Sequence, residues 1–495
     1  MSAEHPAGAP PLLTSARFHA IVAVAGIAFG FTAPLTAVFA VSLGASGLLA
    51  GVAVSSANMS VLVIDVFGTR WTPRLEARAA VTTALVIFGA GSLGSAFAGS
   101  YVMMVIARAV QGIGVALFLG VGPQLAVRLA RPGPAGVVRT GRALGSFNAA
   151  WFAGIALGPL LGGSIAALLP GAAGIRLAFG VCGILSGLIA VLVAFTLPRT
   201  VNGRPARLGL PRLRRIAGRR AGFVLGTGAL GQAVRSGVAM TLMPLFGSEV
   251  LHLSTLTIGV ALSCLAVTDV IAMGTAARIS DVYGRLPVLL PACVWGVGVL
   301  VLLLLHGTAA WFLPVCAALG LTVGIAWVLP GAMAVDVVDD PETALATYRI
   351  SADAGVVLGG IVSGAAVSAV GVQGALGVGA GHLVVIGLLV LAIGETRKSS
   401  PVGFPASTLV GGQPMPLPEP SAVSAAPPEP NAALFDALVA DQDLDFLTPQ
   451  RRADALATHL AMRPALLKLR AVPLRFTDPV DEPGTALAWL ERAAA

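Results

Sequence analysis

The chain has 495 residues, of which 56% are hydrophobic and only 11% charged, with a formal net charge of +8. So little charge excludes a soluble protein of this length and points to the bilayer as solvent. The 61 glycines agree with this, because small residues let membrane helices approach one another closely.

Residues 1–17 are polar and proline-rich and read as a cytoplasmic N-terminal segment. The first apolar run is too long for the core of a cleavable signal, so none is expected. A spanning helix needs about 20 mostly apolar residues. Such runs recur at 18–40, 47–67, 79–99, 101–125, 143–169, 174–197, 221–247, 255–277, 287–306, 309–335, 348–370 and 374–395. The expected fold class is an all-α membrane protein, with twelve transmembrane helices in two pseudo-symmetric halves, 18–197 and 221–395. Between them, 198–220 is a basic linker. Arginines crowd one set of loops: Arg70, Arg74 and Arg78, then Arg128, Arg131, Arg139 and Arg142, then the linker, then Arg278 and Arg285. The opposite loops hold only Arg176, which predicts cytoplasmic termini and an inner (plasma) membrane location.

After the last run, 396–431 is rich in Pro, Ser, Ala and Gly and reads as a flexible linker. Residues 432–495 regain helical spacing, with Thr448 a cap candidate and Pro449 in the first turn. This tail is either a small helical appendage or a docking module for a cytoplasmic partner. Cys182, Cys264, Cys293 and Cys316 lie inside apolar runs without metal-ligand spacing and read as packed free thiols.

Three motifs stand out. In span 5, Gly145 is followed by Gly154, Gly158, Pro159, Gly162 and Gly163. Gly154, Gly158 and Gly162 share one helix face open to backbone packing, and Pro159 removes a hydrogen bond and bends the helix. This spacing resembles the antiporter signature of the drug:proton exporters in the major facilitator superfamily, where it is thought to seal the interface between halves. Span 4 carries Arg108-x-x-Gln111-Gly112-x-Gly114, similar to the motif whose arginine is implicated in proton coupling in that family. A guanidinium inside a membrane is costly and rarely idle. The loop after span 8 holds Asp281, Gly284 and Arg285, resembling the family's gating motif. Ala277 replaces its leading glycine and Val282 its first arginine. The copy after span 2 keeps Arg74 and Arg78 but has no aspartate in the loop. Asp353, at the start of span 11, is the expected substitute partner for Arg74. The repeat of motifs between halves implies the major facilitator fold, with a cavity at the interface and rocking alternating access.

Few charges lie inside the spans. At about 1.5 Å per residue, Arg235, Arg108 and His382 fall at one depth. Asp269 falls about 10 Å lower on the same rise, so no direct ion pair with Arg235 is expected. Asp65 and Asp336 sit near the cytoplasmic boundary as gate or cap residues. Asp269 and His382 are the candidate proton carriers. The alternatives are a helix–helix hydrogen bond for Asp269 and a packed neutral imidazole for His382. The first span has Thr32 where many drug:proton antiporters carry an acid. Two mid-depth arginines favour neutral or anionic substrates. Phe147, Trp151, Trp295 and Trp327 are candidate cavity aromatics, although packing accounts for such residues more often.

The expected function is secondary transport, with proton-coupled efflux of a small organic compound (a drug, antibiotic or secondary metabolite) first. Uptake of an organic anion or nutrient is the alternative, and a transporter-like sensor signalling through its tail is a third reading. The expected partners are the substrate, protons and the lipid bilayer, with a monomeric chain. No cofactor, metal or nucleic acid is expected. The chain shows no nucleotide-binding loop, metal-ligand cluster or nucleophile–base pair, so it is not expected to be an enzyme.

Overall fold

The computed structural model describes residues 11–67, 76–129, 140–197, 218–338 and 340–397, all within the compact unit Met1–Val402. The tail at 432–495, most of the basic linker, nearly all of the proline-rich linker, and Arg74 lie outside the described residues.

Every regular element among the described residues is helical. Helix α1 runs through Pro11–Phe31 and Ala33–Ser42. It breaks at Thr32 because Pro34 has no N–H to donate one turn back. The helix resumes with the Thr32 carbonyl accepting the Leu35 amide at 3.2 Å and the Thr36 hydroxyl at 2.9 Å. Helices α2 (Gly47–Phe67), α3 (Ala77–Ala96), α4 (Tyr101–Leu129), α5 (Thr140–Ala166) and α6 (Gly171–Thr196) complete the first set.

Helix α7 starts as Arg219–Ala233, widens into π turns over Val234–Leu242, and ends in a second π segment, Phe246–Val250. Helices α8 (Thr255–Tyr283), α9 (Leu286–Leu305) and α10 (Ala309–Val337) follow. The last helical stretch, Pro341–Ile393, has 53 residues. A straight helix of that length would span about 80 Å, against a hydrocarbon core of about 30 Å. It is broken at Gly371, whose φ of 74° and ψ of 172° suit glycine alone, into α11 (341–370) and α12 (372–393).

Ten stretches among the described residues are long and apolar enough to cross a membrane. The last contains both α11 and α12, and α7, divided by its π turns, is the remaining rod. Twelve helical rods result, at the positions expected from the sequence.

Buried apolar side chains cluster within each half. One cluster runs from Val224 to Ile393; a second draws on Phe18 to Leu197. A third joins Ala28 to Cys182 and takes Leu245 from the other half, with Met240, Val367 and Val372 packed against it. Exposed apolar residues such as Phe195, Leu188, Val102 and Leu388 cover the outside. This inverted pattern is what lipid demands.

Candidate functional site

A narrow cavity of about 30 Å³ lies where the halves meet. Gly30, Ala33, Pro34, Phe152 and Ile155 line it from the first half, and Arg235, Asp269 and Leu262 from the second. It is too small for an organic substrate. Arg235 projects from the π segment of α7. Its Nη2 donates to both carboxylate oxygens of Asp269 on α8, at 2.8 and 2.7 Å. These side chains are only 13% and 4% exposed. The Trp327 ring covers the guanidinium at 4.5 Å and meets Phe152 of the first half edge-on at 6.2 Å.

This pair corrects the depth estimate that kept Arg235 and Asp269 apart. That estimate assumed a straight α-helical rise and counted backbone positions alone. The chain up to Ala233 is α-helical as assumed, but an arginine stem reaches several ångströms beyond its Cα. Removing one partner of such a buried pair costs about 3–5 kcal/mol, because the other charge stays behind uncompensated.

Arg108 on α4 heads a second polar network, inside the first half. It donates to Gln111 Oε1 and, at 3.3 Å, to the Thr32 hydroxyl at the α1 break. Gln111 is fully buried and donates onward to Ser92 at 2.6 Å. No carboxylate among the described residues pairs with Arg108, and its Nε–H has no partner. Gly112 and Gly114 let α4 close directly on the backbones of Ala57 and of Ala84 with Phe88. The motif therefore builds one object: glycines for close approach, and a glutamine holding an arginine.

The span-5 glycines divide between two faces. A Cβ on Gly158 would lie 2.6 Å from Gly30 Cα, and one on Gly154 2.8 Å from the Ile27 nitrogen, both on α1. Gly162 is equally tight against Phe31. Gly163 faces the other half, where its Cβ would meet Gly259 Cα at 3.0 Å. Next to Pro159, the Leu160 amide donates to Ser263 Oγ of α8 at 2.8 Å. Gly145 has open space around it, so the packing expected of the motif does not extend that far.

Helix α11 mirrors this arrangement. Gly355 and Gly359 pack on α7 at Ala229 and Ala233, while a Cβ on Gly364 would lie 2.9 Å from Gly51 Cα of α2. Ser55 donates to the Val357 carbonyl at 2.7 Å, and the Leu48 amide to Ser368 at 2.8 Å.

On the arginine-rich side, Arg349 of α11 binds Asp65 of α2 at 2.7 Å, joining the halves. Asp353 lies beside both; Arg74, its expected partner, is outside the described residues. The signal for Asp65 was present as a repeat: Asp65-Val-Phe-Gly68 matches Asp281-Val-Tyr-Gly284. It was missed because Asp65 falls inside the apolar run rather than in the loop after it.

In the second half, Arg285 binds Asp281 at 2.6 Å, Asp336 at 3.1 Å and Ser280 at 2.7 Å. Burial alone would lower its pKa, but the two carboxylates outweigh this and raise it. Gly284 turns the chain with φ 101°. Glu395 then accepts the amides of Arg285, Leu286, Thr396 and Arg397 at 2.9–3.1 Å. Arg78 donates to the Leu197 carbonyl at 3.5 Å, within the first half.

His382 does not line the cavity; its Nδ1–H donates to the Val378 carbonyl one turn back at 2.8 Å. Trp151 and Phe147 stack on Phe118 in the core, and Trp295 is half-exposed, donating to the Ala318 carbonyl. Of the sequence-selected aromatics, only Trp327 reaches the site. Phe152, its partner, carried no signal in the sequence beyond being aromatic.

Apolar helices in two sets around an interfacial cavity that holds a charge pair define a multi-pass membrane carrier. The chain belongs to the Major Facilitator Superfamily, whose sequence model matches residues 18–268 and 225–438. It is accordingly a membrane transporter and not an enzyme. Among solved structures it is similar to a mutant of the nucleoside transporter NupG, at 17% identity and a TM-score of 0.63, over 77% of this chain and 99% of that one. It is likewise similar to a bacterial homolog of the human lysosomal transporter Spinster, inward-facing and occupied. That likeness has 14% identity and a TM-score of 0.64, over 78% of this chain and 97% of that one. At these identities the likeness is one of fold. No curated protein sequence matches the chain.

Proposed function

We propose that this chain is a proton-coupled exporter of a small organic compound, working by alternating access about the cavity between its halves. The observation that carries the reading is the α5 seam. Gly154, Gly158 and Gly162 lock α5 to α1, while Pro159 and Gly163 present the bent helix to α8, with the spacing of the drug:proton exporters. Asp269 carries the proton, and Arg108 and Arg235 set the electrostatics of the path. Asp65 with Arg349, and Asp281 with Arg285, act at the cytoplasmic gate. The protein works as a single chain in the plasma membrane with cytoplasmic termini, and 432–495 is a small appendage.

Intracellular content of a panel of toxic organic compounds tests this. Cells making the protein are expected to hold several-fold less of an exported compound than cells making Arg108→Ala or Asp269→Asn. Identical contents across the panel would sink the proposal. Higher content would favour a second reading, uptake of an organic anion, which the presence of two arginines against one carboxylate near the cavity supports.

A further inference from the structure

We infer that Arg235 is the seat for an anionic group on the transported compound, and that Asp269 fills this seat at rest and yields it on taking up a proton. The inference deepens the transport reading and rests on the cavity being the path. Asp269 grips Arg235 through Nη2 alone, with both oxygens on that one nitrogen. A guanidinium offers five donors in a planar fork, and a carboxylate or phosphate set squarely on it takes two nitrogens at once. Here the Nε–H is buried without a partner although the residue lines the cavity. The fork is therefore held incompletely, and a better-placed anion has donors to gain.

The charges decide which member of the pair gives way. An arginine cannot shed its proton in a protein, whereas a carboxylate can gain one. An anion arriving on Arg235 leaves Asp269 without a counter-charge in a dry cavity, and the carboxylate becomes a neutral acid by binding one proton. A cation arriving on Asp269 would instead strand a permanent charge. Arg235 stays in place when released, because the Trp327 face still covers it.

Nothing else facing Asp269 among the described residues competes for the role. Helix α10 presents Gly320 and Gly324 to it, and α5 brings Phe152, Ile155 and Pro159 to the cavity wall. Among the described residues, Arg235 is the one charged group that acts on Asp269, and Tyr348 of α11 stands within reach of Arg235. The remaining wall is apolar, so the occupant is a compact anion with an apolar body. One proton then moves with each anion. An exporter on these terms is driven by build-up of the anion inside the cell.

Thermal stability of the full chain in detergent tests this, with benzoate as probe and neutral benzamide as its control. Benzoate should stabilise the wild type at pH 6 far more than at pH 8, with apparent affinity changing by up to about tenfold per pH unit for one linked proton. Asp269→Asn should respond equally at both pH values, and Arg235→Gln at neither. An equal response to benzamide, a response that survives Arg235→Gln, a pH-independent wild type, or no response anywhere would overturn it. If Asp269→Asn does not survive purification, Asp269→Ala replaces it, and acetate but not acetamide should restore its stability. No flux is measured, so failure here leaves transport standing. Benzoate binding as described, with no compound moved in cells, would sink transport alone.

Discussion

A guanidinium half-exposed at the arginine-rich edge of the bundle, as that of Arg349 is, gives up its partner cheaply. Its side chain is 50% exposed and that of Asp65 14%, and ion pairs so placed are worth about 0–1 kcal/mol. The buried Arg235–Asp269 pair stands at the other extreme, and the proposed function gives the two different duties: the outer one opens within each cycle, and the inner one opens only for a replacement charge. Asp65→Arg or Arg349→Asp alone should cut transport several-fold, and the double swap should recover most of it; no recovery would remove the pair from the gate. Glu395 offers a pH-dependent case. Its slight burial pushes the carboxyl up, but four backbone amides outweigh that and hold it below the ordinary value of 4.5. The stability it lends is therefore present above that value and lost as pH falls through its lowered pKa. Glu395→Gln should loosen the α8–α9 turn at neutral pH and flatten the acid limb of the melting profile, as read by hydrogen exchange and thermal scans. The sequence marked Asp65 as a gate or cap residue without its partner Arg349, and it carried no signal for Glu395.

At the scale of elements, α5 was the most legible. Its glycine spacing specified the face packed on α1, since residues four apart lie above one another on a helix. What the spacing could not give was the partner of the second face, or the fate of the backbone around Pro159. The Leu160 amide, beside a residue that cannot donate, finds Ser263 across the interface. Ser263→Ala would remove this hydrogen bond between the halves, at a cost of about 1 kcal/mol. The expected result is a shift towards open forms, visible as faster labelling of a cavity cysteine at position 152. Gly158→Val should fail to reach native yield, because its first added carbon already overlaps Gly30. Helix α7 shows the converse. Its apolar run predicted a span but not its π turns, which begin beside Arg235. Hydrophobic periodicity fixes which face is buried, not how far each residue rises.

Across the whole molecule, the halves touch along two seams, α5 on α8 and α2 on α11, each built from glycines of one duplicated pattern. The twelve rods and their grouping were readable because lipid demands long apolar runs, a coarse constraint that survives boundary errors. The charge pairs between rods were not, because they depend on side-chain reach across helices distant in sequence. Alternating access requires the α2–α11 seam to part at the end bearing Leu48 and Ser368. Cysteines at these two positions, oxidised to a cross-link, should abolish transport, and reduction should restore it. Transport that continues while cross-linked would exclude movement there.

The composition of these seams has a thermal consequence. Glycine has no rotamers to freeze, so closing a glycine seam orders almost no side-chain torsions, whereas burying long side chains costs up to about 2 kcal/mol each in entropy. The balance between open and closed forms should therefore carry a small entropy change and drift little with temperature. Distance measurements between the halves over a span of temperatures would read this directly, and a steep drift would mean that other, longer side chains order when the halves meet.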